Sequence, residues 1–240
     1  MRALTAQTKV ELLLTVRRSE SILVTLAIPL GVLVFFTKVD SVNTLAHPVD
    51  FLVPGVLALA VMASAMVSLG IATGYERRYG VLKRLGSTPL SRAGLLTSKT
   101  ANVLLLELVQ STVIVLTGIA LGWSPSGGLV AALGLILLGT IAFAGIGLLL
   151  AGTLRAEANL AVANGLFLVL LFLGGMAYPL EKLPAALETF ARLLPAAALS
   201  ETLRGVLDAH ASFDVGELAV LVVWAIAAPL AAAHWFRWDE

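Results

Sequence analysis

Long apolar stretches separated by short charged connections dominate the hydropathy pattern of the chain. Six of them are close to the roughly 17–25 residues with which a helix crosses a bilayer, and β-barrel alternation is absent from the sequence. The pattern therefore predicts an all-α membrane protein with six transmembrane helices in one domain, residues 1–240. The predicted spans are Ser21–Thr37, Phe51–Thr73 with Pro54 in its first turn, Ala101–Leu121, Leu129–Leu154, Leu160–Ala177 and Val215–Phe236.

Three amphipathic segments lie outside these spans. Residues 1–18 are predicted to form an interfacial helix, because Leu4–Arg18 combines leucine and valine with basic side chains. Residues 75–93 form a charged loop between the second and third spans. Residues 178–214 are rich in Pro, Ala and Leu. Their leucines fall near helical spacing, which fits two short helices dipping toward the membrane and equally fits a solvated cap.

Composition excludes a soluble domain and several kinds of chemistry. Hydrophobic residues make up 59% and charged residues 13%, against about 25% charged in soluble domains. With no cysteine in the sequence, disulfides and thiolate sites are excluded. His47, His210 and His234 lack metal-ligand spacing. Lys99-Thr100 lacks the glycine that precedes a P-loop lysine. The sequence predicts no catalytic residue, no metal site and no bound cofactor, and its first residues lack the apolar centre of a signal peptide.

The basic residues predict the orientation. With both termini cytoplasmic, 12 of the 16 Lys and Arg residues fall on the inner side and four on the outer side. This asymmetry follows the rule that cytoplasmic connections are enriched in Lys and Arg. The four outer residues are Lys38, Lys182, Arg192 and Arg204.

Glu107 is the only acidic residue that falls well inside a predicted span. An ionisable group at that depth suggests a functional site, and a structural hydrogen bond is the alternative. The candidate partners are Gln110, Asn102 and Asn164, the last on another helix. Glu107, Gln110 and Asn164 are therefore possible pathway residues.

The loop at residues 75–93 carries five basic residues and one acid, Glu76. Val81, Leu82 and Leu85 are predicted to form one apolar face, with the Arg and Lys side chains elsewhere and Gly86 as the helix stop. Anchoring to anionic lipid would explain the charge alone. An apolar face beside these charges favours a protein partner.

Residues 76–92, ERRYGVLKRLGSTPLSR, resemble the loop after the second span of type-2 ABC exporter permeases, the ABC-2 type family that includes bacterial drug and antibiotic exporters. The segment GGMAYPLEKLP at residues 174–184 is similar to an element of the same family, as is Leu194-Pro195 followed by a helix that ends in Arg204. The chain departs from the family pattern at Arg78, Gly174 and Leu194.

The resemblance implies a role for each segment. The helix Glu76–Leu85 would be a coupling helix that docks on a separate ATP-binding-cassette ATPase subunit, and the outer segment would be a re-entrant helix pair that closes an extracellular gate. The loop Leu154–Asn159 would be a second ATPase contact. The coupling residues are Glu76, Arg77, Arg78, Val81, Leu82, Arg84, Leu85 and Arg155, and the gate residues are Tyr178, Pro179, Leu183, Pro184, Pro195 and Arg204.

These features together predict the permease subunit of an ATP-driven exporter in a bacterial plasma membrane. The expected partners are the ATPase, which would hold ATP and magnesium, a second permease subunit and membrane lipid, with no nucleic acid. Few polar groups interrupt the spans, which favours a hydrophobic drug, antibiotic or lipid-like substrate. A proton-coupled secondary transporter using Glu107 and an intramembrane enzyme are the alternatives, and the second lacks paired catalytic groups.

Overall fold

The computed structural model describes residues 19–38, 48–86, 92–125, 127–176, 178–208 and 211–237. Every regular element within these ranges is a helix, which confirms the all-α part of the predicted fold class. The predicted interfacial helix at residues 1–18 lies outside the described residues.

The helices follow one another with short connections, and most coincide with a predicted span. They are α1 (Ser19–Lys38), α2 (Pro48–Arg78), α3 (Val81–Gly86), α4 (Arg92–Ala120), α5 (Leu129–Thr153), α6 (Ala156–Leu173), a 3₁₀ turn (Leu180–Lys182), α7 (Ala185–Ala191), α8 (Pro195–Leu207) and α9 (Val215–Trp235). Within the described part of the chain, α2, α4, α5, α6 and α9 are long and apolar enough to cross a membrane. The apolar part of α1, Leu26–Lys38, is shorter.

Two predictions about helix ends were wrong: the position of Pro54 within α2 and the length of the loop before α6. Helix α2 begins at Pro48 and runs to Arg78, so Pro54 lies inside the helix and not in its first turn. Helix α6 begins at Ala156, which reduces the predicted loop Leu154–Asn159 to Leu154 and Arg155. Arg78 and Glu157 form an ion pair where these two helices meet, and this pairing allows both helices to extend beyond their apolar parts.

Helix α5 lies at the centre of the bundle. It contains no charged residue and packs against α2, α8 and α9. The contact with α2 is close because glycines face each other: a Cβ on Gly147 would lie 2.5 Å from the Met66 carbonyl oxygen, and one on Gly70 would lie 2.9 Å from the Gly147 carbonyl oxygen. Small residues at such spacing let helix backbones approach in lipid. In this chain they serve packing within one subunit.

Helix α2 has a widened segment at its middle. Residues Met62–Ser68 form a π-helix of 7 residues between the two α-helical halves, Pro48–Val61 and Leu69–Arg78. Extended π-helix is rare, and it usually interrupts an α-helix at a functional position. The π-helix packs against α5 and α6 and contacts α4, so it lies where four predicted spans meet.

Candidate functional sites

The first candidate site lies at one end of the bundle. It consists of the turn at residues 79–80 and the short helix α3 that follows it, and we call it the basic turn. Helix α2 ends at Arg78, Tyr79 and Gly80 form a turn, and α3 follows at once. Gly80 has φ +69°, a conformation that favours glycine. Helix α3 is described up to Gly86 and α4 from Arg92 onward. The predicted helix stop at Gly86 therefore stays a prediction. Residues 87–91 of the predicted loop lie outside the described residues.

Three consecutive charged residues attach the end of α2 to three other elements. The Lys99 ammonium of α4 lies 2.6 Å from Glu76 Oε2. The buried Arg77 guanidinium donates to the Leu154 carbonyl oxygen at the end of α5. Arg78 pairs with Glu157 in the first turn of α6. The Asn159 side chain adds a bond of 2.8 Å to the Gly70 carbonyl oxygen. These contacts join the turn mechanically to α4, α5 and α6.

The predicted apolar face of the loop divides into a buried and an exposed part. Leu82 is fully buried, whereas Val81 is 40% exposed and Tyr79 is 70% exposed. The prediction that Val81 and Leu82 share one face was therefore wrong, because α3 turns Leu82 into the bundle. The side chain of Leu85 lies outside the described residues. Arg84 and Arg155 are exposed. Among the residues of the turn and α3 whose side chains the structure describes, Tyr79, Val81 and Arg84 are therefore the accessible ones.

The second candidate site lies at the opposite end of the bundle, where the predicted gate segment folds into α7 and α8. Helix α8 is amphipathic and packs among α2, α5 and α9. Pro195 begins the helix, as is common for proline at the first helical position. Tyr178, Pro184 and α7 are mostly exposed, Leu183 is half-buried, and Phe190 and Leu193 expose apolar side chains. The segment therefore combines one helix inserted among the spans with one at the surface.

Arg204, near the end of α8, connects three elements although it is almost completely buried. Its Nη2 donates to the Gly175 carbonyl oxygen at 2.8 Å, and its Nη1 pairs with Glu201. Its guanidinium carbon lies 3.9 Å from the centre of the Phe51 ring, at the start of α2. Arg204 thus joins the predicted gate segment to α2, the helix that ends in the basic turn.

Acidic groups surround Arg192, the residue that follows α7. Its guanidinium lies 2.9 Å from Glu188, 2.8 Å from Glu217 and 3.7 Å from Glu181. The hydrogen bond to Glu188 raises the pKa of Arg192 above its ordinary value. The Trp224 indole donates to the Leu193 carbonyl oxygen at 3.0 Å. These contacts attach α7 to α9.

The third candidate site is a polar cluster in the middle of α4. Glu107 and Gln110 lie one turn apart and are each 1% exposed. The Thr140 hydroxyl of α5 is hydrogen-bonded to Glu107 Oε2, and the Ser64 hydroxyl of the π-helix donates to Gln110 Oε1 at 2.8 Å. The partner of Glu107 is Thr140, which was not among the three predicted candidates. Gln110 binds Ser64 instead, and Asn164 is exposed and bonds its own helix. Glu107 and Gln110 thus face the interior of one subunit.

A family model for the ABC-2 type transporter matches residues 2–207 of the chain. The chain belongs to the ABC-2 type transporter family. This assignment confirms the resemblance seen in the sequence and, with the apolar helices, identifies a multi-pass membrane protein of the permease class. Members of this family are non-catalytic membrane subunits of ABC transporters.

Two curated proteins illustrate the similarity of this ABC-2 permease to known chains. It is 27% identical over 201 residues to the "Putative transport permease YvfS" of Bacillus subtilis, with 81% of each chain covered. It is 26% identical over 202 residues to the "Probable multidrug ABC transporter permease YbhS" of Escherichia coli, covering 81% of this chain. The alignment spans 51% of the second protein.

Several residues at these sites were not predicted from the ABC-2 permease sequence. Lys99, Thr140, Ser64 and Phe51 were missed because each acts on a residue far away in sequence. The only signal in the sequence was chemical: Ser64 and Thr140 are polar residues within apolar spans, where such side chains hydrogen-bond between helices.

Proposed function

We propose that the chain is the permease subunit of an ATP-driven exporter and that α2 transmits movement from an ATPase to an extracellular gate. The observation that carries this proposal is the continuity of α2. One helix ends in the basic turn, carries the π-helix at its middle, and has Phe51 in its first turn, on which Arg204 of the gate segment stacks. Movement at one end therefore acts directly on the other.

The ATP-binding-cassette ATPase docks on the exposed surface formed by Tyr79, Val81 and Arg84, with Arg155 nearby as a second contact. The ATPase holds ATP and magnesium. Glu76, Arg77 and Arg78 face α4, α5 and α6, so in this proposal they distribute movement among the helices and do not themselves touch the ATPase. Because the turn is attached to three helices at once, a push on α3 displaces all of them.

The gate is formed by the segment from Tyr178 to Arg204, with α8 as its inner helix. The burial of α8 among α2, α5 and α9 supports this assignment. A close contact reinforces the connection to α2: a Cβ on Gly55 would lie 2.1 Å from the Met176 carbonyl oxygen, just before the gate segment. Opening the gate therefore requires α2 and the segment to move together.

The substrate is a hydrophobic drug, antibiotic or lipid-like molecule. Two apolar cavities of about 340 and 280 Å³ lie along α4, lined mainly by α4 and α5, and the name of the Escherichia coli relative points to drugs. In this proposal α1 completes six spans, a second permease subunit completes the pathway, and both termini lie in the cytoplasm of a bacterial cell.

The docking surface is tested by a double substitution, Val81→Asp with Arg84→Glu. Both side chains are exposed, so the subunit should fold normally. A reversed charge and an acid buried in the interface should strongly reduce co-purification with the partner ATP-binding-cassette ATPase, because the loss of an interface anchor costs about 2 kcal/mol or more, roughly a 30-fold loss of affinity.

The matched control is Leu187→Asp, an equally exposed apolar position at the opposite end. It should leave ATPase binding unchanged. If the double variant retained the ATPase and its substrate-stimulated hydrolysis, the assigned docking surface would be wrong.

A further inference from the structure

Glu107 is buried in a helix that otherwise exposes much of its apolar surface. Leu105, Leu108, Val109, Leu116 and Ile119 of α4 are all 44–61% exposed. The two apolar cavities involve α4 residues 100–104 on one side of Glu107 and residues 108–116 on the other. The Glu107–Thr140 bond therefore joins α4 to α5 between two regions where the helices are poorly packed.

The hydrogen atoms available at this bond constrain the charge of Glu107. Thr140 Oγ1 is in contact with Glu107 Oε2 and lies 2.8 Å from the Ile136 carbonyl oxygen. Both atoms are acceptors if Glu107 is ionised, but a hydroxyl has one hydrogen to donate. If Glu107 is a carboxylic acid, its own hydrogen supplies the second bond, and Thr140 accepts from Glu107 while donating to Ile136.

The other carboxyl oxygen supports the neutral form. Glu107 Oε1 is buried without a hydrogen-bond partner among the described residues, as is the Gln110 amide nitrogen. An unpaired oxygen on a neutral acid loses one weak bond, whereas a carboxylate in the same position would leave much of its charge uncompensated in an apolar interior.

No counterion is available in the described part of the elements packed against α4, which are α1, α2 and α5. Helix α5 and the π-helix contain no ionisable residue. The charged groups of α2 lie near its ends, at Asp50 and at residues 76–78, and Lys38 lies in the last turn of α1. Lys99 is paired with Glu76 and precedes Glu107 by eight residues, roughly 12 Å along the helix.

We propose that Glu107 is a proton-binding site, held as a neutral carboxylic acid whose O–H donates to Thr140 and fastens α4 to α5. In this proposal Glu107 positions α4 against α5 and does not contact the substrate. Loss of this proton would place a carboxylate between the helices and weaken the bond that joins them at this depth. In the proposed function, this bond keeps α4 in register with α5 when the basic turn, which precedes α4 in the chain, is displaced.

Infrared spectroscopy of the purified chain in lipid tests the protonation state directly. The difference spectrum of wild type minus Glu107→Gln at neutral pH should show the C=O band of a carboxylic acid. In Thr140→Val this band should move to higher frequency, because the acid has lost its hydrogen-bond partner. Carboxylate bands in place of the acid band would overturn the proposal.

The apparent melting temperature gives a second readout. Glu107→Gln should melt close to wild type, since its amide N–H can donate to Thr140 in the same way. Glu107→Leu and Thr140→Val should both melt several degrees lower, and the double variant should be little worse than either one. Additive losses of melting temperature in the double variant, or a Glu107→Gln variant as unstable as Glu107→Leu, would contradict a hydrogen bond donated by Glu107 to Thr140. Both measurements use the isolated chain, so their outcome is independent of whether an ATPase binds.

Discussion

Arg204 shows how a single side chain can define a junction between elements. Its guanidinium donates to Gly175, pairs with Glu201 and stacks on Phe51, all while almost fully buried. A lysine ammonium cannot reproduce this geometry, because it is a compact charge without the planar face that stacks on a ring. The arginine at the end of the gate helix is therefore required by its shape as well as by its charge.

We expect Arg204→Lys to destabilise the end of the bundle that contains α8, and Arg204→Ala to destabilise it further. Loss of the charged hydrogen bond alone should lower the free energy of unfolding by about 2 kcal/mol. Glu201 would also lose its partner. The apparent melting temperature in detergent measures both. Arg192→Ala is the comparison: because Arg192 is 37% exposed, solvent screens its ion pairs more than that of the buried Arg204, and we expect a smaller loss. Equal losses in the Arg204 and Arg192 variants would contradict the special role of Arg204.

At the scale of the element, the packing of α2 on α5 decides how movement passes through the bundle. Glycines at residues 70 and 147 bring the two backbones together beside the π-helix. A helix in such close contact cannot slide without carrying its neighbour, because interdigitated cores are dense and deform little. Because of this contact, any change of α2 between π and α geometry would require α5 to move as well.

Gly147→Leu should disrupt this contact. Its Cβ would lie 2.5 Å from the Met66 carbonyl oxygen, so the helices must separate, and overpacking of this kind costs typically about 1–3 kcal/mol. Gly134→Leu on the same helix is the matched control, since no atom lies within 4 Å of a Cβ at that position. We expect Gly147→Leu to lower the melting temperature and Gly134→Leu to leave it unchanged. The reverse order would contradict the close contact between α2 and α5.

Hydropathy predicted the existence and order of the helices, because each span must bury its backbone polar groups internally. It failed at the ends of α2 and α6, where Arg78 and Glu157 pair across 79 positions of sequence. The same limit applies inside the bundle. Nothing near Glu107 in sequence points to Thr140, and no periodicity distinguishes the π-helix from ordinary helix. Residue types were predictable, whereas partners depend on how the helices pack.

For the whole molecule, the distribution of charge and the two ends of α2 lead to one orientation. The basic turn, Lys99, Arg155 and Arg237 gather at one end, whereas Glu181, Glu188, Glu201, Asp208 and Asp214 lie in the segment at the other. Basic residues remain preferentially on the cytoplasmic side. In the proposed function the ATPase therefore reaches the basic end, and the proposed gate segment faces outward.

Because the sequence has no cysteine, one introduced cysteine reports its own side of the membrane. Ser212 and Tyr79 are both exposed, the latter by 70%. A membrane-impermeant maleimide should label Ser212→Cys in intact cells, and should label Tyr79→Cys only after the cells are permeabilised. Labelling of both after permeabilisation is the control for reactivity. If Tyr79→Cys reacted in intact cells and Ser212→Cys did not, the ATPase surface would lie outside the cell, and the transmission proposed for α2 would fail with it.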